Sequence, residues 1–243
     1  MSFFPSFSGF HAAAFGAAFC AALFMCAVPA AACPPPVAVK VNVTFTHKEN
    51  PVVKHITSQA MTQKMRSSGN AEETSTTLAT EANWMVGGLN ESSIRMRYEM
   101  PIVRLPRGDD NTCFMPTAFN YEIIYENTIY IAEDFKLMGC RYSATMAHEK
   151  RHEKTDLRIM EKFAADVRRE LEIAVRGLRP VGPIPNDNLQ QEYETVAQKL
   201  TAGLKPLQEK MLAERHKKNS EVDSHENYMR DTALCPEQFP RFE

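Results

Sequence analysis

The chain has 243 residues, 44% of them hydrophobic and 24% charged, which allows one ordinary domain or two small ones with a packed core. Its formal net charge of -2 gives no overall pull towards nucleic acid or an anionic membrane, and neither partner is expected. Function must come from local sites.

The N-terminus differs from the rest. From Ala12 to Val28 it reads AAAFGAAFCAALFMCAV, followed by PAAAC, in which Ala30-Ala31-Ala32 fits the small-residue cleavage rule. Residues 1–32 are therefore read as a secretory signal peptide, with Cys33 as first mature residue and the body exported, periplasmic or secreted. No Lys or Arg precedes Lys40, so the usual basic start is missing. The alternative is a retained N-terminal membrane anchor, for which the run is about long enough. A lipid on Cys33 is a further option, although Ala30 matches poorly the Leu usual at that place. Outside the signal stand Cys33, Cys113, Cys140 and Cys235, which allow three full pairings. The expected bonds are Cys113–Cys140 and Cys33–Cys235, the latter tying the ends of the mature chain together.

After a CPPP stem, VAVKVNVTFTH (37–47) alternates apolar and polar residues as a half-buried strand does. Residues 55–82 are rich in Ser, Thr and Gln, with a short helix expected in HITSQAMTQKMRSS. ANWMVGG and SIRMRYEMPIVRLP read as strands, with Trp84 in the core and Pro101 making the second irregular or an edge. YEIIYENTIYIAEDF is a strand pair or one long strand, and a core strand more than an edge lining a cleft. Residues 33–142 thus form a small, mostly antiparallel β layer.

Residues 143–243 read as helical. A helix is expected from Ser143 or Thr145, with Leu157, Met160, Phe163, Ala164, Val167, Leu171 and Val175 on one apolar face. Gly177 supplies a left-handed cap, and PVGPIPND is a turn. Asp187 with Gln190 resembles a capping box opening a second helix, which Pro206 kinks or breaks. A third segment runs from about Leu207 to Tyr228. The expected architecture is α+β: the β layer, then a long antiparallel helical hairpin, together one compact domain.

The first helix carries His148-Glu149-Lys150-Arg151-His152, the pattern H-E-x-x-H. Residues four apart share a helix face, so the two imidazoles can grip one Zn²⁺ while Glu149 stands beside the ion as a general base. A solvated charged face is the alternative for so polar a stretch. Glu149-x-x-His152 also spells half of a di-iron motif, but no second E-x-x-H follows, and zinc is the expected metal. The overlapping His152-Glu153-x-x-Asp156 would leave His148 idle. Eight residues separate His148 from Asp156, about 12 Å along the axis, so one ion cannot easily take both with His152. Asp156 is instead assigned to the ring nitrogen of His152 that faces away from the metal, and Glu153 to the surface.

A catalytic zinc wants a third protein ligand. Folding the hairpin about residue 182 brings His216 opposite the pair, and slack at Pro206 brings Asp223, His225 and Glu226 into range. Asp223, Glu226 and His216 share one side of a helix, and His225 lies opposite.

The order of β layer, HEKRH helix, hairpin and VDSHENY resembles the bacterial family of predicted secreted zinc-dependent proteases, over roughly residues 37–230. That family ends in Y-D-x-x-T-x-H-G; here Glu226 stands for the Thr, Tyr228 for the His, and no Gly follows. The resemblance implies Asp223 as third ligand, ahead of Glu226 and His216. The resulting expectation is an exported zinc metallopeptidase acting on peptide or protein substrates. The rival is a non-catalytic periplasmic hairpin protein whose H-E-x-x-H binds zinc or is vestigial. Tyr228 is read as a packed tyrosine rather than an oxyanion donor, and ERHKKNSE as a solvated helix face.

Overall fold

The computed structural model describes residues 32–53, 55–67, 86–108, 110–135 and 139–235. The signal-like run up to Ala31 and Trp84 lie outside them, and from Cys33 onward the chain forms one compact unit.

The fold is α+β. One sheet has the order β1-β5-β2, formed by β1 (Lys40–Glu49), β5 (Ala118–Ile131) and β2 (Gly88–Glu99). The central strand β5 runs parallel to β1 and antiparallel to β2. YEIIYENTIYI is thus one long core strand. Its alternation sends Phe119, Tyr121, Ile123, Tyr125, Asn127, Ile129 and Ile131 to one face, all buried. Six of those seven are apolar or aromatic, so Asn127 stands out. A second, antiparallel sheet has the order β3-β4-β6, from β3 (Ile102–Pro106), β4 (Asn111–Pro116) and β6 (Val181–Pro185). SIRMRYEMPIVRLP, expected as one irregular or edge strand, is divided at Met100-Pro101 into β2 and β3, which lie in different sheets, while α1 (Ser58–Ser67) falls within HITSQAMTQKMRSS as expected.

The segment PVGPIP is therefore not a turn. It forms β6, an edge strand, where prolines are tolerated because one side of the backbone needs no ladder bond. Gly182 adopts φ 120° there, and a Cβ on it would lie 2.6 Å from the Thr112 carbonyl oxygen, so only glycine fits.

Helix α2 (Cys140–Val175) spans 36 residues, about 54 Å, and starts earlier than Ser143. It ends at Arg176 in the right-handed region, so Gly177 is not a left-handed cap. The buried stripe of α2 changes character along its length. Ile159, Met160, Phe163, Val167 and Leu171 pack against β5 and the later helices, whereas His148, Glu149, Glu153 and Asp156 form its buried polar half.

Helix α3 (Leu189–Thr201) follows a short 3-10 turn, and no Asp187–Gln190 box caps it. The chain breaks at Ala202-Gly203 rather than at Pro206, which sits in the first turn of α4 (Leu204–Val222), where a missing N–H is harmless. Contacts from Lys162–Glu214 through Asp156–Arg215 to His152–Asn219 make α4 antiparallel to α2. The third segment is not continuous to Tyr228. It stops at Asp223, and Ser224 caps a separate helix α5 (His225–Ala233) by accepting from the Asn227 N–H.

The disulfides are Cys33–Cys113 and Cys140–Cys235, not the expected pairs. Pairing follows tertiary proximity, which spacing does not encode: β4 places Cys113 beside Cys33, and the α4–α5 break returns Cys235 to the start of α2. With its sulfur in a disulfide, Cys33 carries no thioether lipid. Two disulfides fit an oxidising, exported setting. Among the described residues no helix is long and apolar enough to cross a membrane.

Leu171, fully buried between sheet and helices, tests this core. Leu171→Ala is expected to lower unfolding free energy by about 2–5 kcal/mol in urea titrations followed by circular dichroism.

Candidate metal site

The helical period brings His148 and His152 together at the polar end of the buried stripe, with Nε2 atoms 3.1 Å apart. Asp223, at the break after α4, directs Oδ1 to 3.0 Å from His148 Nε2 and 2.9 Å from His152 Nε2. These three residues are a group able to hold a metal ion, all within the protein interior or nearly so. The other two candidates for third ligand, Glu226 and His216, are exposed and stay outside the cluster.

The partners of the other ring nitrogens decide what the cluster needs. His148 Nδ1 lies 3.1 Å from Asp231 Oδ2, and His152 Nδ1 lies 2.9 Å from Asn219 Oδ1. Asn219 Oδ1 accepts, so His152 is read as an Nδ1–H donor with its Nε2 lone pair bare. His148 Nδ1 lies between the Asp231 acceptor and the Arg151 guanidinium, also at 3.1 Å, and donation to Asp231 leaves its Nε2 bare in the same way. Two lone pairs and a carboxylate oxygen then converge with no hydrogen between them. A tetrahedral ion with ligands at about 2.0–2.1 Å holds them roughly 3.3 Å apart, close to the triangle observed. The donor set and its spacing fit a divalent metal.

Without a cation, a proton does part of its work. Burial opposes charge on His152, but the hydrogen bond and charge of Asp223 outweigh it and raise its pKa to about 9. Burial likewise pushes Asp223 up, but the two imidazoles hold it down at about 2. These are two views of one ion pair.

Glu149 is buried beside the cluster. Burial raises its pKa, against the pull of His152 and His148, and the Asn90 backbone N–H donates to it. The room comes from Gly88 on β2: a Cβ there would fall 2.6 Å from Glu149 Oε1 and 2.5 Å from Thr145 Cγ2. Sequence reading missed Gly88, although a Gly87-Gly88 pair entering a strand signals close approach. It also missed Asp231 and Asn219, which look like ordinary polar residues on helix surfaces.

Two assignments need correction. Asp156 does not touch His152; Asn219 intervenes, donating its Nδ2–H to Asp156 Oδ1 at 2.8 Å. Glu153 is not on the surface. One turn beyond Glu149, it is buried against Asn127 Nδ2 (3.3 Å), His47 Nε2 (3.5 Å) and Lys150 Nζ (2.8 Å). Lys150 also binds Glu49. Tyr228 is packed, as expected, with its ring stacked on His148 at 5.0 Å between centroids, and its hydroxyl reaches to 3.5 Å from Asp223 Oδ1. Burial raises the Tyr228 pKa well above 10.

Helix α5 brings Tyr228 and Asp231 to the site with little apolar anchoring. Asp231 is its one buried residue, while Met229 is 57% exposed and the adjoining Leu234 63%. What holds α5 is polar contact with His148 and Arg151 together with the Cys140–Cys235 bond at its end.

These features define an α+β protein with a buried two-histidine, one-aspartate cluster on an H-E-x-x-H helix. No family model, curated protein or solved structure matches the chain.

Two outcomes are expected. A ligating imidazole must be neutral, and metal-free His152 holds its proton up to about pH 9. Zinc affinity, measured by chelator competition, is therefore expected to rise about tenfold per pH unit from pH 6.5 towards 9 and then level off. The Cys140→Ser/Cys235→Ser variant is expected to bind zinc about 10-fold or more weakly, as loss of a ligand-supporting contact does, whereas Cys33→Ser/Cys113→Ser binds normally.

Proposed function

We propose that the chain is an exported zinc-dependent metallopeptidase. The observation that carries the reading is the convergence of His148 and His152 on α2 with Asp223 at the end of α4, beside the buried Glu149. Zinc held there would acidify a bound water and polarise a scissile carbonyl. Glu149 takes the proton of the attacking water and returns it to the leaving amine. Burial pushes its pKa up from the ordinary carboxylate value, the direction that suits a group that must accept and release a proton. His148 and His152 would hold the metal through Nε2, with Asn219 and Asp231 beside their Nδ1 atoms, and Asp223 would contribute the anionic ligand.

The same donor set also suits iron(II). Glu149 favours zinc, because hydrolysis needs a carboxylate base next to the metal and oxygen activation does not. The substrate proposed is an extended peptide. Strand β2 has a strand neighbour on one side, β5, among the described residues, and its Gly88–Asn90 end adjoins Glu149. A peptide added along that edge would pass the base in extended form. The similarity of HEKRH and VDSHENY to the secreted protease family supports the same reading, as do the two disulfides for export.

The test is metal analysis of the mature protein combined with assays on fluorogenic peptide libraries. Wild type is expected to hold one zinc per chain, as a single three-ligand site implies. Glu149→Gln is expected to keep that zinc and lose about 10²- to 10⁴-fold in kcat/KM, and His152→Ala to lose the metal. Zinc-free wild-type protein, or full activity in Glu149→Gln, would overturn the proposal. Zinc binding with no cleavage of any peptide would favour the non-catalytic rival.

A further inference from the structure

We infer that Asp156 controls metal binding without touching a ligand, by fixing the Asn219 amide so that His152 keeps its Nε2 lone pair for the ion. The inference rests on the metal reading above and adds a positioning residue to it.

An ionised carboxylate only accepts hydrogen bonds. Asp156 is 1% exposed and held from three sides. The Tyr125 hydroxyl donates to Oδ2 at 3.0 Å, and Arg215 Nε and Asn219 Nδ2 donate to Oδ1 at 2.9 and 2.8 Å. The Asn219 side chain has one donating end and one accepting end. With its amino group committed to Asp156, its carbonyl oxygen must face His152 Nδ1, at 2.9 Å. That oxygen calls for a hydrogen on Nδ1, and a neutral imidazole then has none on Nε2.

If the amide turned over, its NH₂ would meet Nδ1 and select the other tautomer. The hydrogen would then sit on Nε2, between His148 Nε2 and Asp223 Oδ1, where the metal belongs. The two tautomers differ in how readily the site takes the ion, since the second must first lose or move its Nε2 hydrogen. The selection is made two hydrogen bonds away, by a residue whose own position is set by β5 through Tyr125 and by α4 through Arg215. Arg215 also donates to Ser92 on β2, the strand that passes Glu149. The same carboxylate thus braces the metal ligand and, through Arg215, the strand beside the base.

A double-mutant cycle on zinc affinity, read by chelator competition on the mature protein, tests the relay. Asp156→Asn can turn its own amide and so no longer dictates that of Asn219; it is expected to bind zinc about 10- to 100-fold more weakly. Asn219→Ala, on a partly exposed helix position, is expected to show a similar loss. Since Asp156 acts through Asn219, the double variant should be no weaker than the weaker single one. Tyr125→Phe serves as the structural comparison: it removes another bond to Asp156, lowers the melting temperature, and leaves affinity within about twofold because the amide keeps its partner. Losses that multiply in the double variant, or wild-type affinity in either single one, would overturn the relay. Should Asp156→Asn not fold, Asn219→Ala decides alone, and wild-type affinity there sinks the idea. Wild-type protein that takes up no zinc removes the metal reading, and this inference with it. That result is distinct from a wild type that binds while Asn219→Ala binds equally well.

Discussion

Three polar atoms, His148 Nε2, His152 Nε2 and Asp223 Oδ1, stand 2.9–3.1 Å from one another in a buried place, and with a hydrogen on each Nδ1 the neutral imidazoles turn lone pairs towards the carboxylate. Water does not relieve this repulsion, because the group is largely out of its reach, so a cation or a proton must. The surrounding structure is organised to keep the three atoms in place. Asp231 and Asn219 hold the outward ring nitrogens, Tyr228 covers the face of His148, and the break after α4 aims Asp223. Each of those supports comes from α4, α5 or the turn between them, while the two imidazoles come from α2. Assembly of the site is therefore the same event as docking α4 and α5 onto α2.

The long helix explains how one element serves both stability and chemistry. Its buried stripe keeps a constant face towards the sheet, but the residues on that face change from apolar to polar near Asp156. Strand β5 matches the change on its own inward row. Phe119 and Ile123 meet the apolar half; the Tyr125 hydroxyl meets Asp156, and Asn127 meets Glu153. The apolar end supplies the burial that offsets the ordering of the chain, and that rigidity carries over to a polar end that contributes little apolar burial of its own. Beyond Asp223 this support fades, and α5 depends on a disulfide and a few charged contacts.

What could be read in the sequence follows from this division. The helix period made His148, Glu149 and His152 legible, because a fixed spacing on a long helix translates directly into a shared face. Asp223 came within range through hairpin geometry and the resemblance of VDSHENY, but not by any local pattern. Glu153 was misjudged even though it lies four residues from Glu149 on the same face; the charge of the neighbouring Lys150 and Lys154 suggested solvent. Strand β6 was hidden by its prolines, which an edge accepts and a central strand does not. Asp231 and Asn219 had no signal at all. A polar residue on a helix reads as solvated until the partner helix is placed, and that placement is set by long-range contacts and by Cys140–Cys235.

The charges around the cluster show why so many ionisable groups can be buried together. Behind each histidine stands a carboxylate paired with an arginine: Asp231 with Arg151, and, one amide further out, Asp156 with Arg215. Those pairs are neutral overall and can be left aside. What remains is Asp223 and Glu149, two buried carboxylates facing two imidazoles. A divalent ion balances both carboxylates when they are ionised. In the metal-free protein, a proton on His152 balances Asp223, and burial pushes the Glu149 pKa up. Metal binding inside this poorly screened interior would exchange a dication for protons. A site built for a monovalent ion would not need the second carboxylate, and one built as a plain salt bridge would not need Glu149 at all. The buried Glu149 is the group that neither simpler account employs, and it stands one residue from the candidate ligand His148, beside the Gly88–Asn90 end of β2.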